Sequence, residues 1–395
     1  MNRKGITNRI LLAATMLLCL PALTRAQGKI TVDTLLYNGR NAINFVLLGD
    51  GYTTAEQNKF TADARRCFDY MFQVSPFNRY RDFFNLYAVH VESKESGLTH
   101  PGRLLPDSTR ACPEHSKMPL QHRDTYFRLQ LDTYGMHRLM DCRNSKGLWA
   151  IVDSLCPGYQ QVGIISNSDE YGGAGGEILL ATCNEESNEV FVHELAHSLA
   201  GLADEYYAGD VYRGEYPNMT HQSNHKKVKW RRWFDDKEVG VYPHHGAGHP
   251  EGWYKPTEGT PESAYCKMQY LGKEFCPVCR EALVERIHEL VNPIETIEPA
   301  AIELPALTGG ETQRFQLTRL LRAHGGQTAI SWYVDGREVA RDTPAISLGS
   351  RTLNPKRAHT VVVKVEDVSE FVRTPRHKRH HIYMHGWRVK AQQKQ

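Results

Sequence analysis

His193 and His197 stand one helical turn apart in "VFVHELAHSLAGLADEYY", residues 190–207, with Glu194 directly after the first histidine. Side chains at i and i+4 share one face of a helix, so both imidazoles can reach a single ion. Glu194 is turned away by about a third of a turn and can hydrogen-bond a water in an open coordination position. That is the layout of a metal-assisted hydrolase. The bare His-Glu-x-x-His pattern is only suggestive, because in a chain with 19 histidines it arises by accident roughly once in twenty such sequences. The competing account is two partly exposed histidines on a surface helix.

Two further features strengthen the metal reading. In the metzincin group of zinc proteases a glycine ends the active-site helix and a residue three positions later supplies the third ligand. Here the helix expected over 188–201 stops at Gly201, and Asp204 stands three positions beyond it. Glu205 competes for the role, and His221 or His225 are more distant alternatives. The second feature is "CKMQY", in which Met268 and Tyr270 have the Met-x-Tyr spacing of a methionine turn followed by a tyrosine that can stabilise an oxyanion. Met268 as ordinary core filler and Tyr270 as a packed aromatic is the bland alternative. Tyr206 and Tyr207 are rival oxyanion donors.

Taken together, "HELAHSLAGLADEYY", "LLGDGYTTAEQNKF", "FFNLYAVHVESKESG" and "CKMQYLGKEFCPVCR" resemble the IgA-peptidase family of bacterial zinc metallopeptidases, whose active helix reads H-E-x-x-H-S-x-A-G-L-x-D-E-Y. The resemblance spans roughly residues 40–290. It implies a metzincin-like α/β zincin catalytic domain, a Zn2+ ion held by His193, His197 and Asp204, and Glu194 as general base to a zinc-bound water. It also implies a protein or peptide substrate, with immunoglobulin A as one candidate. The larger members of the family add big flanking modules, whereas here the catalytic segment follows almost at once after residue 26, so their specificity is not carried over.

The elements that must position these residues are legible in part. "AINFVLLGDGYT" reads as a buried strand ending in a turn, "TTAEQNKFTADARRCFDYMF" as a helix, and "FFNLYAVHVES" and "QVGIISN" as strands, the start of an α/β layer. A helix is expected over residues 122–140. The glycines of "NSDEYGGAGGEILLATCN" read as a flexible turn before an edge strand, since no Lys-Ser/Thr follows to make a phosphate loop. An edge strand beside a protease site can bind an extended peptide, which makes residues 177–182 a candidate substrate ledge. The aromatic and Gly/Pro-rich stretch over 208–265 reads as a wall or lid. "CPVCREALVERIHELV" is a helix. From about residue 300, short alternating strands with a "YVDGRE" hairpin fit a small all-β immunoglobulin-like sandwich, residues 300–395, after a catalytic domain over 27–292.

Residues 1–26 carry a basic start, a short apolar run and a small-residue cleavage site, the marks of a secretory signal peptide. The expected location is therefore exported: secreted, periplasmic or cell-surface. Without that segment the chain has 44 basic and 45 acidic residues, so no global field draws it to nucleic acid or membrane, and no other run is long enough to span a bilayer. Eight cysteines remain besides Cys19, and export favours disulfides. Cys266, Cys276 and Cys279 could begin a structural zinc site, but no fourth ligand is visible in the sequence, and disulfide pairing is the expectation. The basic C-terminal segment from Phe371 reads as a solvated strand and tail, with a patch for an acidic partner as the sharper alternative. Two rival functions remain: a glycan- or host-protein-binding module with a non-catalytic metal site, and a zinc amidase acting on cell-wall peptides.

Overall fold

The computed structural model describes residues 30–207, 213–244, 252–260, 262–263, 265–325 and 328–392. The signal segment and Cys19 lie outside the described residues. The first unit is built on a six-stranded mixed sheet. Its strands are β1 (Thr31–Leu36), β2 (Ile43–Asp50), β3 (Phe84–His90), β4 (Gln161–Ser166), β5 (Gly173–Ala174) and β6 (Leu179–Thr182), in the spatial order β1-β3-β2-β4-β6-β5. The four central strands run parallel, and β1 and β5 are antiparallel to their neighbours. β2 and β4 are covered on both faces, which is why "INFVLLGD" and "QVGIIS" are near-continuous apolar runs rather than alternating ones.

Helices α1 (Gln57–Met71), α3 (Ser187–Ala200) and α4 (Pro277–Leu290) belong with one face, where Phe45, Phe60, Phe68, Phe191, Leu195 and Met268 share a core. α2 (Ser145–Leu155) covers the other face with Leu148 and Ile151 against Val46, Leu48 and Ile164. No helix among the described residues is long and apolar enough to cross a membrane.

The segment 122–140 is not the helix expected from its pattern. Arg128, Asp132, Tyr134 and Gly135 have φ of 53°, 62°, 50° and 77°, a left-handed region no α-helix can contain. The buried Asp50 carboxylate at the end of β2 holds this segment instead. It accepts the N–H of Phe127 (2.8 Å), the N–H of Leu129 (3.0 Å) and the Thr125 hydroxyl (2.8 Å). The helix comes later, at α2, where the Asn144 side chain accepts from Gly147 N–H as an N-cap.

β6 is not the open ledge expected over 177–182 either. β4 pairs with one side of it and β5 with the other, and Gly173 of β5 in turn bonds to Arg138 and Met140. Gly173 and Gly175 are required by close approach rather than by turn conformation. A Cβ on Gly175 would lie 2.4 Å from His197 Cβ, and one on Gly173 would lie 2.5 Å from Val190 Cγ1, so only glycine lets this chain run against α3.

The C-terminal strands form two antiparallel sheets. One is β7 (Ile294–Glu298), β8 (Thr312–Leu320) and β11 (Ala345–Gly349); the other is β9 (Thr328–Val334), β10 (Arg337–Arg341), β12 (Ala358–Asp367) and β13 (Ile382–Lys390), in the order β10-β9-β12-β13. Phe315, Trp332, Val363 and Trp387 share a core between them. β7 pairs with β8, so the strand at 294–298 precedes the start expected at 300. The expected hairpin turns at Asp335 and Gly336, both with positive φ. The basic C-terminal segment is not simply strand and tail: it includes α5 (Pro375–His380), and His380 and His381 bond to Glu285 of α4.

Candidate metal centre and cleft

α3 ends where its sequence says it should. Gly201 adopts φ 61°, and the N–H groups of Gly201 and Leu202 return to the carbonyls of His197 and Ala196, a closure that suits glycine. The chain beyond is then fixed on several sides. Ala203 exchanges two bonds with the Asn218 amide, Glu205 N–H donates to Met268 O (2.7 Å), and His244 Nε2 donates to the carbonyls of Asp204 and Tyr206.

These constraints bring His193, His197 and Asp204 together. Asp204 Oδ1 lies 3.0 Å from His193 Nε2 and 3.2 Å from His197 Nε2, and the two Nε2 atoms are 3.2 Å apart. With metal–donor bonds of about 2.0–2.1 Å, a tetrahedral site has ligand–ligand edges of roughly 3.3 Å. Both Nδ1 atoms are already committed, to Lys267 O (3.0 Å) and Leu202 O (2.6 Å). A carbonyl can only accept, so Nδ1 carries the proton and Nε2 presents a lone pair. Three acceptors therefore converge on one point, and a divalent cation suits them. Burial disfavours the charged form of His197, but the Asp204 carboxylate outweighs it and lifts the imidazole to about 9, so an ion binding at Nε2 would displace a proton from it. Burial would raise Asp204, yet the two imidazoles hold it well below the usual carboxylate range. Three protein donors leave a tetrahedral site one position short of closure, as catalytic centres require.

Glu205 does not join them. Its carboxyl is fully buried and points elsewhere, with Oε1 3.2 Å from Cys279 Sγ. His221 packs on Trp253 and His225 on Phe234, and neither joins the His193, His197 and Asp204 group.

Glu194 lines two cavities, of about 210 and 420 Å3, that flank it. His193 and Tyr270 border one; His197, Asp204, Gly175 and Gly176 border the other; Arg138 and Tyr206 border both. Burial pushes the Glu194 carboxyl up, against the pull of the His193 and His197 rings. A larger cavity of about 910 Å3 opens by Ser96, Asn167 and Asp169, but His193, His197 and Asp204 do not border it.

Met268 is fully buried, and its turn is tight, with the N–H groups of Gln269 and Tyr270 both bonding to Cys266 O at 3.0 Å. Lys267, in the same turn, pairs with Glu189 of α3. The Tyr206 hydroxyl accepts from Arg138 (3.2 Å), whereas the Tyr270 hydroxyl has no hydrogen-bond partner among the described residues. Tyr207 is more exposed and packs on His244. Arg138 is invisible in the sequence, because it sits in the segment whose pattern mimics a helix. The disulfides expected from the sequence are absent among the described residues, where all eight cysteines are free.

No curated protein is a significant match to the chain. The family described as IgA Peptidase M64 matches residues 37–248, more than half of the sequence, a span that contains His193, His197 and Asp204 but not the methionine turn. The protein belongs to that family and is a peptidase of the metal-dependent class.

Proposed function

We propose that the protein is an exported, zinc-dependent endopeptidase whose metal is held by His193, His197 and Asp204. The observation that carries this is the convergence of three acceptor atoms at 3.0–3.2 Å with both Nδ1 atoms spoken for. Bound there, zinc supplies Lewis-acid polarisation of a water and of the scissile carbonyl. Glu194 takes the proton of the attacking water and later returns it to the leaving amine. Tyr270, with its hydroxyl uncommitted, donates to the oxyanion as it develops. Arg138 holds Tyr206 in place between the two cavities and so keeps the cleft open across Glu194. The fold is read as a zincin-like peptidase unit carrying an immunoglobulin-like sandwich, on the parallel sheet, the helix exit at Gly201 and the buried methionine turn.

Export is read from the N-terminal basic and apolar pattern. The substrate is a protein or peptide, entering across the cleft between Tyr270 and Gly175. The test is hydrolysis of a denatured protein mixture, immunoglobulin A and peptidoglycan-derived peptides by wild type and Glu194→Gln. Cleavage of polypeptide by wild type alone supports the reading; cleavage confined to cell-wall peptides would replace it with an amidase.

A further inference from the structure

Glu205, Cys266, Cys276 and Cys279 offer one donor atom each, and these four atoms all lie within 4.8 Å of one another. We propose that they form a second, closed metal site, a structural zinc centre that locks the segment bearing Asp204 to the methionine turn and to the start of α4. The proposal is independent of the catalytic reading.

The spacing of the donors decides between metal and disulfide. Cys266 Sγ and Cys279 Sγ are 3.7 Å apart. A disulfide requires about 2.0 Å, whereas thiolates at about 2.3 Å from a tetrahedral zinc sit roughly 3.8 Å from each other. Glu205 Oε1 lies 3.2 Å from Cys279 Sγ and 3.8 Å from Cys276 Sγ, again the edges of a tetrahedron. All four residues are 0–1 % exposed, so the site has no opening for substrate. Four protein donors with no vacant position are the mark of a structural centre.

The surroundings fit a cation. The Glu205 carboxylate is met by neutral groups, the Thr257 hydroxyl and the Asn218 amide, and forms no salt bridge among the described residues. A buried carboxylate without a counter-charge is costly, and a divalent ion supplies one. Cys276 caps α4 and Cys279 lies in its first turn, where the positive end of the helix favours thiolates. Lys255 Nζ donates to the Glu205 carbonyl at 2.6 Å and adds positive charge beside the site. On ligation the three thiols release their protons to solvent. A sulfur-rich donor set selects zinc over magnesium, calcium or manganese. Cys276-x-x-Cys279 is a familiar half-site, and its partners come from far away in the chain, which is why the sequence hides them.

The test uses the full chain carrying His193→Ala and His197→Ala, which removes the first site and peptidase activity, loaded with cobalt(II). The expected result is one cobalt per chain with an intense thiolate-to-cobalt charge-transfer absorption. Adding Cys279→Ser is expected to weaken that absorption and lower cobalt affinity at least tenfold. Native mass spectrometry should find one zinc ion per chain that is kept when His193 and His197 are replaced by Ala and is lost from the otherwise wild-type chain on Cys279→Ser substitution. A zinc count unchanged by Cys279→Ser, cobalt without the charge-transfer band, or a disulfide joining any two of these cysteines in peptide mapping would overturn the proposal.

Discussion

Asp204 and Glu205 are neighbours in the chain with opposite fates: Asp204 Oδ1 stands 3.0 Å from His193 Nε2, while Glu205 Oε1 stands 3.2 Å from Cys279 Sγ. One faces the cleft and the other the buried sulfurs. Asp204→Ala is therefore expected to lose the catalytic metal and activity while the fold survives. The loss of affinity should exceed the roughly 10–100-fold seen when a mere supporting partner is removed. Glu205→Ala should instead destabilise the fold by on the order of 2 kcal/mol, through unsatisfied buried partners. Peptidase activity alongside thermal melting separates them, since either variant can lower the total metal count, and the reverse pattern would exchange their roles.

Glu194→Gln removes a proton acceptor without removing a ligand. Metal content and melting temperature should match wild type, while kcat falls by about 10²–10⁴. If the Glu194→Gln variant still turned over peptide at the wild-type rate, Glu194 would have no part in the chemistry.

Tyr270→Phe deletes the uncommitted hydroxyl, and kcat should fall by about 10²–10³ with little change in KM if it stabilises the oxyanion. Tyr206→Phe deletes a hydroxyl already bonded to Arg138 and is expected to change KM more than kcat. Steady-state kinetics on one peptide substrate distinguishes the pair.

Gly175 and Gly176 are adjacent and should respond differently to a methyl group. A Cβ on Gly175 meets His197 Cβ at 2.4 Å and the Glu194 carbonyl at 2.8 Å, whereas a Cβ on Gly176 meets nothing within 4 Å. Gly175→Ala should cost roughly 1–3 kcal/mol as the strand is pushed off the helix, and it should disturb metal binding. Gly176→Ala should leave the melting temperature unchanged.

Glu281 links α4 to the C-terminal segment and makes stability fall in acid. Burial alone would raise its carboxyl, but His377, the Trp233 N–H and Thr374 outweigh it and hold the group at about 2 instead of 4.5. Because the folded value is the lower one, the stabilisation is complete above about pH 5 and is lost as pH falls from there towards 2. Glu281→Gln should lower stability at neutral pH by on the order of 2–3 kcal/mol and flatten the acid limb of a pH–melting curve. An unchanged acid limb would show that other carboxylates carry it.

What the sequence disclosed was local. The i, i+4 histidines, the glycine stop and the three-residue step to Asp204 all lie within one short stretch, where helix geometry relates position to direction. What it concealed depended on distance along the chain. Arg138 reaches the cleft only because left-handed residues at Arg128, Asp132 and Tyr134 break an apparently helical pattern and Asp50 captures the loop. Glu205 meets Cys266 only in three dimensions, and with the fourth donor unseen the cysteines look like a disulfide set. The glycines beside α3 read as a turn because sequence does not show what a backbone must squeeze past.

α4 has attachments at both ends and along its side. Cys276 and Cys279 enter the Glu205 cluster, Glu281 accepts the N–H groups of Arg373 and Thr374, Glu285 takes His380 and His381, and His288 bonds to Asp367 and Tyr383. A nick in the linker near residue 292 would therefore cut the chain without separating the halves, since the contacts that hold them run through side chains on either side of the cut. The first unit and the C-terminal sheets thus share α4 as a common spine.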